Sequence, residues 1–287
     1  LADKYETELQ MFVGFLDGIN DSLKEANPIE EMDENTQVSL DIDFEKLYYN
    51  MVGCRAEWLY NLKEWDDILT EERRKALKDL YSYDSTAFCE LRIELTTDEN
   101  NRMSNLCPNC LLEIAGTLDH IIPQTPFPEY STNPYNLIPC CSTCNSKKND
   151  DWIKNGKRSI IDFYIDDIPD IQFLYAYPKL VKGYLDITYE IHFPLGYDIT
   201  LKDRLKNHFG KLELLKRYRE NSDDKINELA SGIKAAEKYG LNDDTIKGMI
   251  KMKANEMQHK HGINYWVPIL NIACVDDENV YNYLKGR

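Results

Sequence analysis

At 287 residues the chain is long enough to bury a real core, as one large domain or two small ones. Its net charge of −16 excludes a uniformly basic surface that would gather nucleic acid by bulk attraction. No stretch approaches the roughly 18 uninterrupted apolar residues of a membrane span, and the first residues lack a basic-then-apolar export pattern; a soluble cytoplasmic protein without a membrane partner is expected.

The charge is unevenly spread. Residues 1–100 carry 25 acids against 10 bases, residues 101–158 carry 5 against 6, and residues 159–287 carry 20 against 18. The acidity belongs to the N-terminal third, which reads as a solvated helical face and not as a surface that meets phosphate.

In chain order, residues 3–27 place Leu9, Phe12, Val13, Leu16, Ile19 and Leu23 at helical spacing, and Asn27-Pro28 ends the run. An acidic stretch from Pro28 to Ser39 reads as a loop. Helical patterning resumes from Phe44 to about Trp65 and from Thr70 to Tyr81, where Thr70 and Arg73 bracket a plausible helix start. Asp84-Ser85-Thr86 opens a segment, Ala87–Leu95, that leads into a cysteine-rich region. Beyond that region, Ser159–Tyr197 is rich in Ile, Tyr and Phe, and Tyr184–Ile191 alternates as a strand does. Thr200–Arg219, Asp223–Tyr239 and Asn242–His259 are expected helices, followed by a mixed C-terminal segment. The fold class is α+β: a mostly helical protein with a small mixed domain at its centre. The boundaries expected are an acidic helical region at 1–87, a central domain at 88–158, and a mixed then helical region at 159–287.

Four of the eight cysteines form two C-x2-C pairs, Cys107/Cys110 and Cys141/Cys144, separated by 30 residues. Four soft thiolates on tight turns are what a closed tetrahedral zinc site requires, and this spacing is a strong signal for one in a reducing compartment. With every position filled by sulfur the zinc would be structural, standing in for core that so small a unit cannot build. Cys140 and Cys141 could each pair with Cys144; the spacing favours Cys141.

Between and after the pairs run Leu118-Asp119-His120-Ile121-Ile122-Pro123-Gln124, Asn136-Leu137-Ile138-Pro139, and Cys144-Asn145-Ser146-Lys147-Lys148. In combination these resemble the HNH endonuclease family, in a zinc-stapled form with Asn in place of the last His. The resemblance covers about 55–70 residues of the chain and implies a ββα-metal fold stapled by the four-cysteine zinc site. It also implies hydrolysis of phosphodiester bonds, in DNA by expectation.

The residues support that chemistry independently. Breaking a phosphodiester needs an activated water and neutralisation of developing charge, which one base and one hard cation supply together. His120 titrates near neutrality and is the candidate general base. Asp119 and Asn145 offer oxygen ligands that suit Mg²⁺ or Mn²⁺. Neighbours on a regular strand point to opposite faces, so Asp119 and His120 must lie at a strand end or an irregularity to reach one phosphate. Lys148, three residues beyond Asn145 on the same helical face, is a candidate phosphate contact, with Lys147 beside it. In the family pattern Asn136 holds the loop that orients the histidine; alone it would read as a turn residue. Pro123, Pro126, Pro128 and Pro134 make a stiff excursion where many family members have a Gly-containing turn.

The segment Phe88–Leu95 is similar to what precedes the core of standalone HNH proteins in bacterial defence systems, including Septu-type and retron-associated ones. That likeness implies an anti-phage effector, with the flanking regions as docking surfaces for a protein partner such as an ATPase. The basic run Lys202, Arg204, Lys206, His208, Lys211, Lys216, Arg217 and Arg219 could grip nucleic acid or could be a helix surface paired with Glu213 and Glu220. The alternative function is a zinc-stabilised nucleic-acid- or protein-binding module whose nuclease site is inactive or partner-dependent.

Overall fold

The computed structural model describes residues 71–81, 86–97, 103, 105–154 and 157–286. The helices expected at 3–27 and 44–65, and the loop between them, lie outside these residues. The chain divides into two compact units, residues 1–77 and 78–287, and the site lies wholly in the second. Among the described residues no helix is long and apolar enough to cross a membrane.

Helix α1 (Glu71–Asp79) falls within the helix expected from Thr70 to Tyr81, and the segment leading to the cysteines is helix α2 (Thr86–Thr96). Phe88 and Leu91 of α2 pack, with Tyr81, against Leu118 and Leu137. Those two leucines belong to the antiparallel strands β1 (Thr117–His120) and β2 (Leu137–Cys140). The register pairs His120 with Leu137 and Thr117 with Cys140. Helix α3 (Ser142–Lys148) follows directly, completing a ββα unit that packs α3 on β1.

The proline-rich connection between β1 and β2 folds into two short 3₁₀ turns, Pro128–Tyr130 and Pro134–Asn136. Proline begins each, where its fixed φ fits and its missing N–H is not needed. The excursion is therefore stiff because it is built from turns, not because it is extended.

Short strands β3 (Ile153–Lys154) and β4 (Lys157–Arg158) lead to the hairpin of β5 (Leu174–Val181) and β6 (Tyr184–Ile191). The β6 bounds are those expected from alternation. Lys182 and Gly183 turn this hairpin with φ of 52° and 84°, the doubly positive turn that matches strand twist. One face, carrying Leu174, Ala176, Ile187 and Tyr189, is buried and meets helix α8 (Trp266–Asp276), nearly every residue of which is apolar.

Helices α4 (Ile199–Lys211), α5 (Leu214–Glu220), α6 (Ser222–Lys238), α7 (Asp243–His261) and α9 (Glu278–Gly286) complete the unit. Two expectations are corrected. The single helix over 200–219 is broken at Glu213, which takes a left-handed φ of 53°. Gly210 stands in the last turn before the break and its carbonyl accepts from the Glu213 amide, but the left-handed residue itself is neither glycine nor proline; its compensation is tertiary, since Leu212 and Leu214 on either side are both 1% exposed. The mixed C-terminal segment is two helices, α8 and α9. The cysteine cluster shares one continuous hydrophobic core with α4, α5, α6 and α8.

Candidate active site and metal centre

Cys107 and Cys110 lie on a tight knuckle in which the amides of Cys110 and Leu111 both donate to the Cys107 carbonyl, at 3.2 and 2.8 Å. Cys141 caps the N-terminus of α3, its sulfur accepting from the Cys144 amide at 3.3 Å. The two knuckles bring the four sulfurs within 4.8 Å of one another, all buried. Cys110 and Cys141 are 3.8 Å apart, about the separation that Zn–S bonds of about 2.3 Å set in a tetrahedron.

The donor set also fits a cation chemically. Hydrogen bonds within the cluster hold the Cys107 thiol down at about 3, while those same bonds push Cys110 and Cys144 well above the ordinary thiol value. A dication is what lets all four ionise together. The cluster is compatible with a structural zinc ion. Cys140 stands beside it, 4.0 Å from Cys107 Sγ, and takes a hydrogen bond from the Asn109 amide at 3.2 Å. The Cys107, Cys110, Cys141 and Cys144 set is closed without it.

Strand β1 ends at His120. On the face of β1 that meets α3, Thr117 accepts from Asn145 Nδ2 at 3.2 Å, and Asp119 Oδ1 accepts from Lys148 Nζ at 3.2 Å. Asn145 also donates to the Leu118 carbonyl at 3.4 Å, so its nitrogen is anchored on the strand. The Asp119 carboxyl is pushed up to about 6 by burial, against the pull of Lys148.

His120 points the other way. Its Nε2 lies 2.8 Å from the Ser131 carbonyl; a carbonyl only accepts, so Nε2 carries the hydrogen and Nδ1 is the basic nitrogen. Tyr81 meets the imidazole edge-on at 4.6 Å. Burial, first, and the Lys148 charge lower the imidazole to about 4 despite the Ser131 bond, which pulls the other way. It is therefore neutral at physiological pH.

Asn136 is fully buried and acts within the loop. Its oxygen accepts from the Ile122 amide at 2.7 Å, and its nitrogen donates to the carbonyls of Ile122 and Tyr130, each at 3.0 Å. It thus ties the residues just after His120 to the turn that presents Ser131. Asn136→Ala would leave the Ile122 amide and carbonyl buried without these bonds, while the Tyr130 carbonyl keeps the Asn133 amide. At about 1–3 kcal/mol for each of the two unsatisfied groups, a loss of about 2 kcal/mol or more in urea unfolding is expected, and a change below about 1 kcal/mol would show that the loop stands without it.

The lysines are placed differently from expectation. Lys148 is 3% exposed, its ammonium held by Asp119, the His120 carbonyl at 2.6 Å and the Asn149 carbonyl at 3.4 Å; its charge faces inward, where phosphate contact was expected. Lys147 pairs on the surface with Glu213 at 2.6 Å. The basic run likewise makes internal ties: Arg204 meets Asp166, Lys211 meets Asp151 at 2.5 Å, and Arg219 meets Asp186 at 2.7 Å. Sequence reasoning missed the Ser131 carbonyl and the Tyr81 ring, for which no local signal exists. Arg217 was noticed only as one charge of that run.

The chain is 26% identical to protein ea31 of Escherichia phage lambda over 192 residues, covering 61% of this chain and 63% of that protein. No solved structure matches. Residues 107–151, which span both knuckles, both strands and α3, match the sequence model of the HNH endonucleases. The chain carries an HNH endonuclease domain.

Proposed function

We propose that the protein is a metal-dependent endonuclease that hydrolyses phosphodiester bonds, in DNA, with His120 as general base. The observation that carries this reading is the His120 imidazole: neutral, held by the Ser131 carbonyl through Nε2, with Nδ1 left to take a proton from water. Asp119 and Asn145 would hold Mg²⁺ or Mn²⁺ on the β1 face that meets α3, beside the strand end from which His120 projects the other way. When bound, such an ion supplies Lewis-acid stabilisation of the charge that develops on the phosphate. Lys148 holds the Asp119 carboxylate in place, and Asn136 fixes the loop behind His120. Lys147, Lys154, Lys157 and Arg158, basic residues at the end of the motif and after it in the sequence, are candidate contacts to the nucleic-acid backbone. The function as an anti-phage effector, with an ATPase-like protein partner, belongs to the same proposal and rests on the Phe88–Leu95 likeness.

The test is plasmid cleavage with added Mg²⁺ or Mn²⁺, with a chelator control and with RNA as a competing substrate. Wild-type protein should nick or linearise the plasmid and His120→Ala should not; equal cutting by both overturns the assignment.

One observation favours a second reading, a site that awaits a partner. Asp119 and His120 are 6% and 8% exposed, and Lys148 and Tyr81 cover them. This reading predicts no cutting by the isolated protein with either ion, and cutting once the partner is added.

A further inference from the structure

Arg217 lies on α5, 66 residues beyond the HNH match, yet its guanidinium reaches the cysteine cluster. Nη1 donates to Cys144 Sγ at 3.2 Å and to the Leu212 carbonyl at 3.3 Å. Nη2 lies 4.0 Å from Cys141 Sγ and 2.7 Å from Glu113 Oε1. Glu113 in turn accepts from Thr143 Oγ1 at 2.8 Å, closing a network over the second knuckle. Arg217 is 6% exposed. A buried cation needs buried anions, and the thiolates of a loaded site supply them.

Two further contacts come from the same helical region. His208 Nε2 donates to the Asn109 carbonyl at 3.0 Å, and Trp266 Nε1 donates to the Leu111 carbonyl at 3.0 Å. Both acceptors belong to the first knuckle or the residue that follows it. The helices thus grip the backbone of one knuckle and the sulfurs of the other.

We propose that Arg217 is an outer-sphere partner of the metal-binding thiolates, and that through it metal loading stabilises the helical region 199–286 together with the HNH domain. A zinc ion with four thiolates carries an excess of two negative charges, which Arg217 partly neutralises while polarising Cys144. Metal occupancy is then communicated to helices far outside the nuclease motif, and those helices in turn tighten the metal.

The proposal rests on the zinc reading, so the first measurement is the zinc content of the purified full chain; an absence of zinc overturns that reading and this proposal with it. Given bound zinc, Arg217→Met should weaken zinc affinity by about 10–100-fold in competition with a chromophoric chelator. Arg217→Lys, which keeps the charge, should recover part of the loss. A packing role predicts no advantage of Lys over Met, and affinities of the Met variant within about twofold of wild type overturn the proposal. In wild-type protein, chelation should speed hydrogen exchange across α5 and α8 by more than about tenfold. Exchange unchanged there on chelation overturns the coupling even if a variant fails to fold.

Discussion

Cys141→Ser is expected to strip zinc from the protein and abolish the cooperative melting of residues 78–287, whereas Cys140→Ser keeps one zinc per chain and melts within a few degrees of wild type. The two residues are neighbours, both buried, and differ by what their sulfurs meet. Cys141 Sγ is 3.8 Å from Cys110 Sγ and caps α3 through the Cys144 amide. Cys140 Sγ takes a hydrogen bond from Asn109, which a serine hydroxyl can also accept. A structural zinc site contributes about 10–16 kcal/mol of apparent binding free energy, comparable with or larger than the roughly 5–15 kcal/mol net stability of a whole domain. Loss of one ligand is therefore felt well beyond the knuckle, because the cysteines sit in the core shared with the C-terminal helices. Elemental analysis after gel filtration, with a thermal melt on the same sample, checks both variants. Zinc lost from Cys140→Ser and retained by Cys141→Ser would reverse the ligand assignment.

What the sequence made legible was the chemistry that depends on spacing. Two C-x2-C pairs determine which sulfurs meet whatever lies between them, and the alternation of Tyr184–Ile191 gave the strand its observed bounds. A strand end close to Asp119 and His120 was legible too, although Pro123 pointed to an end three residues beyond the observed one at His120, and the two side chains leave the strand on opposite faces. Contacts made across the fold were not legible. Arg217 and Lys148 both looked like surface cations. Nothing local distinguishes a lysine bound for phosphate from one that turns inward to a buried aspartate, since the two differ only in what the rest of the chain places opposite. The break at Glu213 was hidden for the same reason: the helical pattern runs through it, and the burial of Leu212 and Leu214 decides the matter. Nor could a backbone carbonyl such as that of Ser131 announce itself in a sequence, although it sets the tautomer of the proposed base.

His120→Ala is expected to slow divalent-ion-dependent cutting by about 10²–10⁴-fold, the usual worth of a general base, with the melting temperature measured in parallel to separate chemistry from stability. The lost ring packs on Tyr81 and bonds Ser131, so His120→Asn is the companion variant; it can keep a hydrogen bond to Ser131 while lacking a basic nitrogen, and it should be as slow. The pH profile gives an independent check. Burial lowers the imidazole to about 4, and both Lys148 and a nearby divalent ion act in the same direction, so the basic form persists well below the ordinary histidine value. Cutting at saturating divalent ion should therefore stay level from about pH 8 down to about pH 5.5, where an imidazole with an ordinary value near 6.5 would already be mostly protonated. Saturation matters because the metal-free Asp119 carboxyl is raised to about 6: protons compete with the ion as pH falls through that value, and the ion concentration required should climb. A rate that instead falls tenfold per unit below about pH 6.5 at saturating ion would mean that His120 works in a hydrated setting, and that the buried arrangement opens before the chemistry occurs.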